Sequence, residues 1–368
     1  MSLDLHSLLK ATLDAGASDL HLATGQPPLI RHRGNMVRSQ AAPLDGDQAR
    51  DLIYSVMSDE QRRAFEHGLE VDFAFEIPGV ARFRANVFRQ RHGISAVYRV
   101  IVTKIRTLEE LGAPPILREL AMKERGLVLV TGPTGSGKST TLAAMIHHVN
   151  EHRQGHIITI EDPIEFVHES RKCLVQQREV GTHTESFSAA LRSALREDPD
   201  ILLVGELRDL ETTALAITAA ETGHLVFGTL HTNSAAKTID RLIDIFPGDR
   251  QAQIRTMLSE SLEGVIAQTL LPSADGKGRV AALEILVGVP ALRNLIREGK
   301  TTQIASVMQV GAQHGMQTLD QAIMDLFASG KITKEEAQAR TNNPRLVEAP
   351  PAAGQPNARP SGRLVVRP

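Results

Sequence analysis

The sequence contains no tryptophan, two tyrosines and a single cysteine, Cys173, among its 368 residues. One cysteine excludes a disulfide framework and a four-cysteine zinc site within the chain, and it fits a reducing compartment. Aromatic residues make up only 3% of the chain, which leaves few side chains on which nucleic-acid bases could stack. The net charge of −2 argues against a basic footprint over the whole protein. We therefore expect no nucleic-acid partner.

Long apolar runs are also missing. No stretch approaches the roughly 20 apolar residues that span a bilayer, and the first ten residues lack the basic and apolar regions of a signal peptide. We therefore expect a cytoplasmic protein whose contact with a membrane is peripheral. With 42% hydrophobic and 23% charged residues, the chain has a globular composition, and its length fits two or three domains.

The first hundred residues mix helical and strand patterns. Leucines at helical spacing predict an opening helix near residues 5–13, and a second helix is expected around Gln48–Met57. Alternating segments predict strands, with turns at Pro27-Pro28 and Pro78-Gly79. We interpret residues 1–103 as a small α+β domain, followed by a linker at 104–125.

The pattern changes at Gly126, where continuous apolar runs of strand length begin to alternate with helix-length segments. The runs cover residues 126–130, 156–160, 201–205 and 225–230. Fully apolar strands between helices indicate a parallel sheet covered on both faces, and hence the α/β class. We assign residues 126–285 to this core and 286–343 to a helical region. Residues 344–368, rich in Pro, Ala and Arg, are predicted to be a disordered tail.

The strongest motif directly follows the first apolar run. Residues 132–139 read GPTGSGKS and match G-x-x-x-x-G-K-[ST], with a strand before and a helix after. Glycines let backbone N–H groups approach phosphates, and the helix N-terminus adds partial positive charge. We expect Lys138 to reach the β- and γ-phosphates of ATP and Ser139 to ligate Mg²⁺. The predicted nucleotide-binding residues are Gly132, Pro133, Thr134, Gly135, Ser136, Gly137, Lys138, Ser139 and Thr140.

Carboxylates follow two of the other apolar runs. The segment TIEDPIEF supplies Glu161, Asp162 and Glu165, any of which could orient or deprotonate an attacking water. The run ILLVG is followed by Glu206, which has the position of the acid that holds Mg²⁺ in P-loop enzymes. The alternative for each of these acids is an ordinary solvated carboxylate.

Two histidines flank the strand of residues 225–230. His231 lies at its carboxyl end and could sense the γ-phosphate by a hydrogen bond. His224 lies at the other end, where a structural role is the better interpretation. Separated by a whole strand, the two histidines cannot share one metal ion.

Taken together, these blocks resemble the secretion ATPase superfamily of type II secretion and type IV pilus systems. The matching elements are GPTGSGKST, TIEDPIEF, LRSALREDPDILLVGELRD and GHLVFGTLHT, in that order. The resemblance implies an N-terminal PAS-like domain, a RecA-like P-loop ATPase domain and a C-terminal helical extension. It also implies a homohexamer that binds ATP between its domains.

The resemblance assigns roles to individual residues. It makes Glu165 the catalytic base and Glu206 the Walker B acid, and it places His224 and His231 in the family's histidine box. Through the segments RFRAN and VYRVI, it makes Arg84 and Arg99 the N-terminal arginines that help to close the nucleotide site.

Within the superfamily, the segment ALRNLIRE at 291–298 is similar to the signature of the retraction ATPases, in which isoleucine is usual at the position of Leu292. We expect its apolar face, formed by Leu292, Leu295 and Ile296, to pack into the C-terminal helices. We expect its polar face, with Arg293, Arg297 and Glu298, to couple hydrolysis to retraction. The resemblance implies association with the inner membrane at the pilus base. The implied partners are a platform protein, indirectly pilin, and a paralogous retraction ATPase.

Three other functions remain open on sequence grounds. The chain could be the accessory retraction ATPase of the same family, a RecA-like nucleic-acid translocase, or a nucleotide-regulated scaffold without catalysis. The absence of basic loops bearing aromatic residues disfavours the translocase, and the intact Lys138, Glu165 and Glu206 disfavour the scaffold.

Overall fold

A computed structural model describes residues 3–32, 34–101 and 105–347. By the density of its internal contacts, the chain divides into two compact units. The first unit comprises Met1–Ala113, Leu117–Lys123 and Ser139–Glu206, and the second comprises Pro114–Ile116, Glu124–Lys138 and Leu207–Pro368. The domain boundaries inferred from the sequence remain predictions.

The N-terminal part of the first unit is an antiparallel sheet with three helices. The elements are α1 (Leu5–Asp14), β1 (Asp19–Ala23), β2 (Leu29–His32), β3 (Asn35–Arg38), α2 (Gly46–Tyr54), α3 (Asp59–Gly68), β4 (Glu70–Ile77), β5 (Ala81–Gln90) and β6 (Gly93–Ile101). The strand order is β3-β2-β1-β6-β5-β4, and each neighbouring pair is antiparallel. The predicted opening helix, second helix and strands are all present, whereas α3 and β3 were not predicted.

Local sequence explains these elements. Helices α2 and α3 each begin with a capping box, Asp45 with Gln48 and Ser58 with Gln61, which satisfies backbone N–H groups of the first turn. Buried and more exposed residues alternate along strand β5. Its buried residues, which belong to the core of the N-terminal sheet, are Ala81, Phe83, Ala85 and Val87. Because side chains alternate across a strand, Arg82 and Arg84 of β5 lie on the opposite face.

The rest of the chain alternates helices with strands. In order, its elements are α4 (Ile116–Ala121), β7 (Gly126–Thr131), α5 (Lys138–His152), β8 (Gly155–Glu161), β9 (Cys173–Glu179), α6 (Phe187–Ala194), β10 (Ile201–Val204), α7 (Leu210–Glu221), β11 (Leu225–Leu230), α8 (Ala235–Asp244), α9 (Gly248–Ser261), β12 (Leu262–Pro272), β13 (Arg279–Val287), α10 (Pro290–Arg297), α11 (Ile304–Val310), α12 (Leu319–Ala328) and α13 (Lys334–Arg340). The four predicted apolar runs are β7, β8, β10 and β11.

Within the first unit, β8 pairs in parallel with β10 on one side and with β9 on the other. Within the second unit, the strand order is β13-β12-β7-β11. Strand β7 is parallel to β11 and β12, whereas β13 is antiparallel to β12. The parallel sheet predicted from the apolar runs is confirmed, and β13, which was not predicted, is antiparallel because the chain returns from β12 as a hairpin.

The C-terminal helices of the second unit close with a short 3-10 turn, Pro344–Val347. Val347 is buried in a cluster that includes Ile323 of α12 and Ala337 of α13. Residues 344–347, which the sequence assigned to a disordered tail, therefore form an ordered turn, because Val347 is part of a core. Residues 348–368 of that tail lie outside the described residues. Among the residues that the structure describes, no helix combines the length and apolarity needed to cross a membrane.

Candidate nucleotide-binding site

The glycine-rich loop runs from the end of β7 to the start of α5, as the motif predicts. Gly132, Gly135 and Gly137 have φ angles of 145°, 77° and 88°, a region that disfavours residues with a Cβ. A Cβ on Gly132 would lie 2.3 Å from the carbonyl oxygen of Gln268, whereas a Cβ on Gly135 would have nothing within 4 Å. The loop thus needs glycine at position 132 for packing as well as for backbone geometry.

Gln268, on β12, forms a side-chain hydrogen bond to the backbone of the loop. Its side chain is buried and its Nε2 donates a hydrogen bond of 2.7 Å to the carbonyl oxygen of Ser136. The sequence interpretation missed this residue, although a lone glutamine inside the apolar strand VIAQTLL is a recognisable signal. A polar side chain is retained in such a strand when it satisfies a buried backbone group.

The loop has the chemistry of a phosphate site. Lys138 Nζ donates to the carbonyl oxygens of Gly132 at 2.9 Å and of Pro133 at 3.3 Å, so the ammonium group lies against the loop. Ser136 Oγ is buried and has no hydrogen-bond partner among the described residues. A cationic side chain, an unsatisfied buried hydroxyl and a helix N-terminus together fit a polyphosphate.

His231 lies beside this loop in the second unit. The register pairs Leu230 with Thr131, so His231 and Gly132 each come directly after the ends of neighbouring parallel strands. His224 precedes β11, and its Nδ1 lies 3.0 Å from the carbonyl oxygen of Ala219, on α7. His224 therefore has a structural contact, and only His231 is placed at the edge that carries the loop.

In the first unit, two acids meet at one edge of the sheet. The register pairs Ile160 of β8 with Val204 of β10, and the Gly205 N–H donates to the Ile160 carbonyl oxygen at 2.8 Å. Glu161 ends β8, and Glu206 follows β10 by two residues. The parallel pairing thus brings the two predicted acidic segments together at their carboxyl ends.

The three acids of TIEDPIEF have different surroundings. Glu161 is enclosed and accepts hydrogen bonds from Thr159 Oγ1 at 2.6 Å, Gln177 Nε2 at 3.1 Å and the Glu165 N–H at 3.4 Å. Its burial raises the pKa of the Glu161 carboxyl, against the effect of these donors. Glu165 is exposed. Glu161 therefore supports the loop, and the Glu165 side chain is open to solvent.

The predicted N-terminal arginines lie side by side. Arg84 of β5 is directly opposite Arg99 of β6. Arg84 Nε lies 3.6 Å from a carboxylate oxygen of Asp72, and Arg99 Nε lies 2.8 Å from one of Asp19. Burial opposes ionisation of Asp19, but hydrogen bonds from Ser18 and Arg99 hold the pKa of its carboxyl below the usual value. Both arginine side chains are largely exposed, at 46% and 69%.

The predicted site residues are therefore distributed over both units. The second unit holds Gly132–Lys138 and His231, and the first holds Ser139, Thr140, Glu165, Glu206, Arg84 and Arg99. Within the described residues, no group of three or more His, Cys, Asp and Glu side chains could hold a metal ion.

Helix α10 corrects one expectation. Leu292 and Ile296 are buried as predicted. Arg293 is not part of an exposed polar face, because it donates to the carbonyl oxygens of Gly288 at 3.1 Å and Ser259 at 2.9 Å and forms an ion pair of 2.7 Å with Glu263. Arg293 connects α10 to the end of α9, whereas Arg297 and Glu298 are exposed.

Comparison with known proteins extends these observations. The chain is 58% identical to the type IV pilus retraction ATPase PilT of Pseudomonas aeruginosa, over 93% of this chain and 99% of that protein. It is 43% identical to the type IV pilus ATPase PilU of the same organism, over 93% and 89% respectively. A crystal structure of the pilus retraction motor PilT with bound ADP is 49% identical, with a TM-score of 0.88, covering 94% of this chain and 99% of that one.

The family model that describes the type II/IV secretion system proteins matches residues 2–343. That match spans the N-terminal sheet, the phosphate loop, the acidic strand ends and the C-terminal helices. The chain belongs to the type II/IV secretion system protein family.

Proposed function

We propose that this protein is an ATP-hydrolysing motor that powers the retraction of type IV pili. The observation that carries the proposal is the identity of 58% to PilT over nearly the whole of both chains. The phosphate loop supports it independently, because its glycines, Lys138 and the unsatisfied Ser136 hydroxyl suit a nucleoside triphosphate.

The side chains divide the work of hydrolysis. Lys138 neutralises charge on the β- and γ-phosphates, and Ser139 and Glu206 are the residues that would hold a Mg²⁺ ion. When bound, Mg²⁺ neutralises charge that develops on the transferred phosphoryl group. Glu165 accepts the proton of the attacking water, and His231 forms a hydrogen bond that distinguishes ATP from ADP.

The protein acts as a homohexamer in which Arg84 and Arg99 of one subunit complete the site of its neighbour. An arginine supplied in this way is worth about 10³–10⁵ in turnover. The large exposed fractions of both side chains support this role. The partners are a platform protein of the inner membrane, indirectly pilin, and a paralogous retraction ATPase. The protein lies in the cytoplasm at the pilus base.

Subunit mixing tests the contribution in trans. Inactive Arg84→Ala protein is mixed with inactive Lys138→Ala protein under conditions of demonstrated subunit exchange. Mixed hexamers contain some interfaces with both residues intact, so part of the ATPase activity returns. No recovery, or full activity of Arg84→Ala alone, would show that Arg84 does not act in trans.

The cellular test is a deletion strain scored for surface pili and twitching. Loss of a retraction motor leaves excess pili that do not retract, and the wild-type gene restores twitching whereas the Glu165→Gln gene does not. Cells without pili would instead identify an assembly motor. The accessory role of PilU is the second candidate, and the lower identity of 43% disfavours it.

A further inference from the structure

A buried ion pair joins the N-terminal sheet to the strand that precedes α6. Arg82 of β5 and Glu179, the last residue of β9, lie 97 positions apart in the sequence. The Arg82 guanidinium donates to Glu179 Oε2 at 2.9 Å, and the two side chains are only 16% and 7% exposed. The sequence alone gives no reason to pair them, since Arg82 lies in the segment RFRAN of the N-terminal strands and Glu179 belongs to no motif.

Glu179 also binds the acidic loop. Its Oε2 accepts the backbone N–H of Ile164 at 3.0 Å, and its Oε1 accepts the hydroxyl of Thr182 at 3.1 Å. Ile164 is buried, at 4% exposure, and the next residue is Glu165. The single carboxylate oxygen Oε2 therefore connects Arg82 directly to the peptide that precedes the proposed base.

A second anchor holds the same loop from the other side. Glu161 accepts the N–H of Glu165 at 3.4 Å, and Gln177 of β9 donates to Glu161 at 3.1 Å and to the Phe166 carbonyl oxygen at 2.8 Å. These anchors all lie on β8 and β9. Arg82 is different, because it reaches the loop through Glu179 from the N-terminal sheet.

We propose that Arg82 and Glu179 are positioning residues through which the N-terminal sheet sets the placement of Glu165. The proposal rests on the proposed function, in which Glu165 is the catalytic base. Removing one partner of a buried ion pair leaves an uncompensated charge, so the remaining side chain shifts towards water or another partner. A shift of Glu179 carries the Ile164 N–H with it, and misplacement of a catalytic group by about 1 Å costs roughly 100-fold in rate.

Through this contact, the N-terminal sheet can affect ATP hydrolysis in its own subunit. Arg82 lies on the same face of β5 as Arg84, because the two residues are separated by one position. A movement of this sheet that strains the Arg82–Glu179 contact would change the position of Glu165. Hydrolysis is thereby favoured in the arrangement in which the contact is intact.

The test uses full-length protein with Arg82→Ala, Arg82→Lys and the control Arg178→Ala. Arg178 is the residue before Glu179, and its ion pair with Glu197, at 3.0 Å and with side chains 24% and 34% exposed, does not involve the N-terminal sheet. We expect Arg82→Ala to lower kcat about 10- to 100-fold, with the Kd for ATP within twofold of wild type. Arg82→Lys keeps the charge and recovers most of kcat, and Arg178→Ala stays within threefold.

Hydrogen exchange supplies a readout besides activity. In Arg82→Ala, amide exchange of the peptide covering residues 162–166 accelerates at least tenfold, because the Ile164 N–H loses a fixed acceptor. Exchange in α5 stays unchanged. A wild-type kcat in Arg82→Ala, an equal loss in Arg178→Ala, or unchanged exchange at 162–166 overturns the proposal.

The Glu165→Gln background separates this proposal from the proposed function. If Glu165→Gln is inactive and Arg82→Ala is fully active, only the positioning role fails. If Glu165→Gln hydrolyses ATP at the wild-type rate, the base assignment fails and the positioning of that base fails with it. In an inactive Glu165→Gln protein, adding Arg82→Ala lowers the residual rate no further, because both changes act on one group.

Discussion

Gly132→Ala perturbs the phosphate loop at the position where the structure leaves no room for a methyl group. The new Cβ would lie 2.3 Å from the Gln268 carbonyl oxygen and 2.6 Å from Ser136 Oγ, whereas Cβ atoms essentially never come closer than 3.0 Å to other heavy atoms. The loop and β12 must therefore separate by about 0.7 Å or more, which is an overpacking change. The φ angle of 145° adds backbone strain.

The size of the effect follows from these two contributions. Strain of this kind costs about 1–3 kcal/mol, and overpacking costs about 1–3 kcal/mol, so the free energy of unfolding falls by roughly 2–6 kcal/mol. For a unit of this size, each kcal/mol lowers Tm by about 2–4 °C. Because the loop binds the phosphates through backbone N–H groups, its displacement also weakens ATP binding.

Gly135→Ala is the matched control within the same loop. Its φ angle is also positive, at 77°, but its Cβ would have nothing within 4 Å, so only a backbone cost of about 1–2 kcal/mol remains. Calorimetry of both variants without nucleotide measures the difference, and titration with a fluorescent ATP analogue measures binding. Equal Tm values for the two variants would refute the argument that contact with β12 makes Gly132 necessary.

Three further predictions follow from single side chains. Glu165→Gln should bind ATP with wild-type affinity but lose at least about 100-fold in kcat, because the proton acceptor is removed; a wild-type rate in a phosphate-release assay would contradict this. Burial, with repulsion from His147, lowers the pKa of His168 to about 4. Between pH 6.5 and 4, the unfolded chain binds a proton at His168 that the folded chain does not bind, so the free energy of unfolding falls by about 3 kcal/mol as pH falls. His168→Leu should remove this dependence of Tm on pH, and an unchanged slope of Tm against pH would contradict the prediction. Arg293→Ala should lower the free energy of unfolding by about 3–5 kcal/mol, because the part-buried ion pair with Glu263 is lost. Arg297 is exposed, so Arg297→Ala should change the free energy of unfolding by less than about 0.5 kcal/mol. Equal Tm values for the two variants would refute this difference.

The sequence by itself determined the elements whose signal is local. The phosphate loop was predicted because its glycines, lysine and serine follow one another between an apolar strand and a helix. The strands β7, β8, β10 and β11 were predicted because both of their faces are buried and their sequences are continuously apolar. The apolar face of α10 followed from helical spacing alone.

Strands β9, β12 and β13 carried weaker signals. Strand β9 reads CLVQQRE and is largely polar, so its pattern resembles that of a loop. The antiparallel direction of β13 depends on its hairpin with β12, which no turn motif in the sequence had indicated.

The contacts that hold the site together were decided only by the tertiary structure. Gln268 reaches Ser136 across 132 positions, and Arg82 reaches Glu179 across 97. The same holds for the hydrogen bond from Gln177 that helps to enclose the Glu161 carboxyl. Spacing along a chain reports which residues share a helix face or a strand face, but a partner a hundred residues away is selected by packing, where a buried polar group must find whichever donor or acceptor the fold brings within reach.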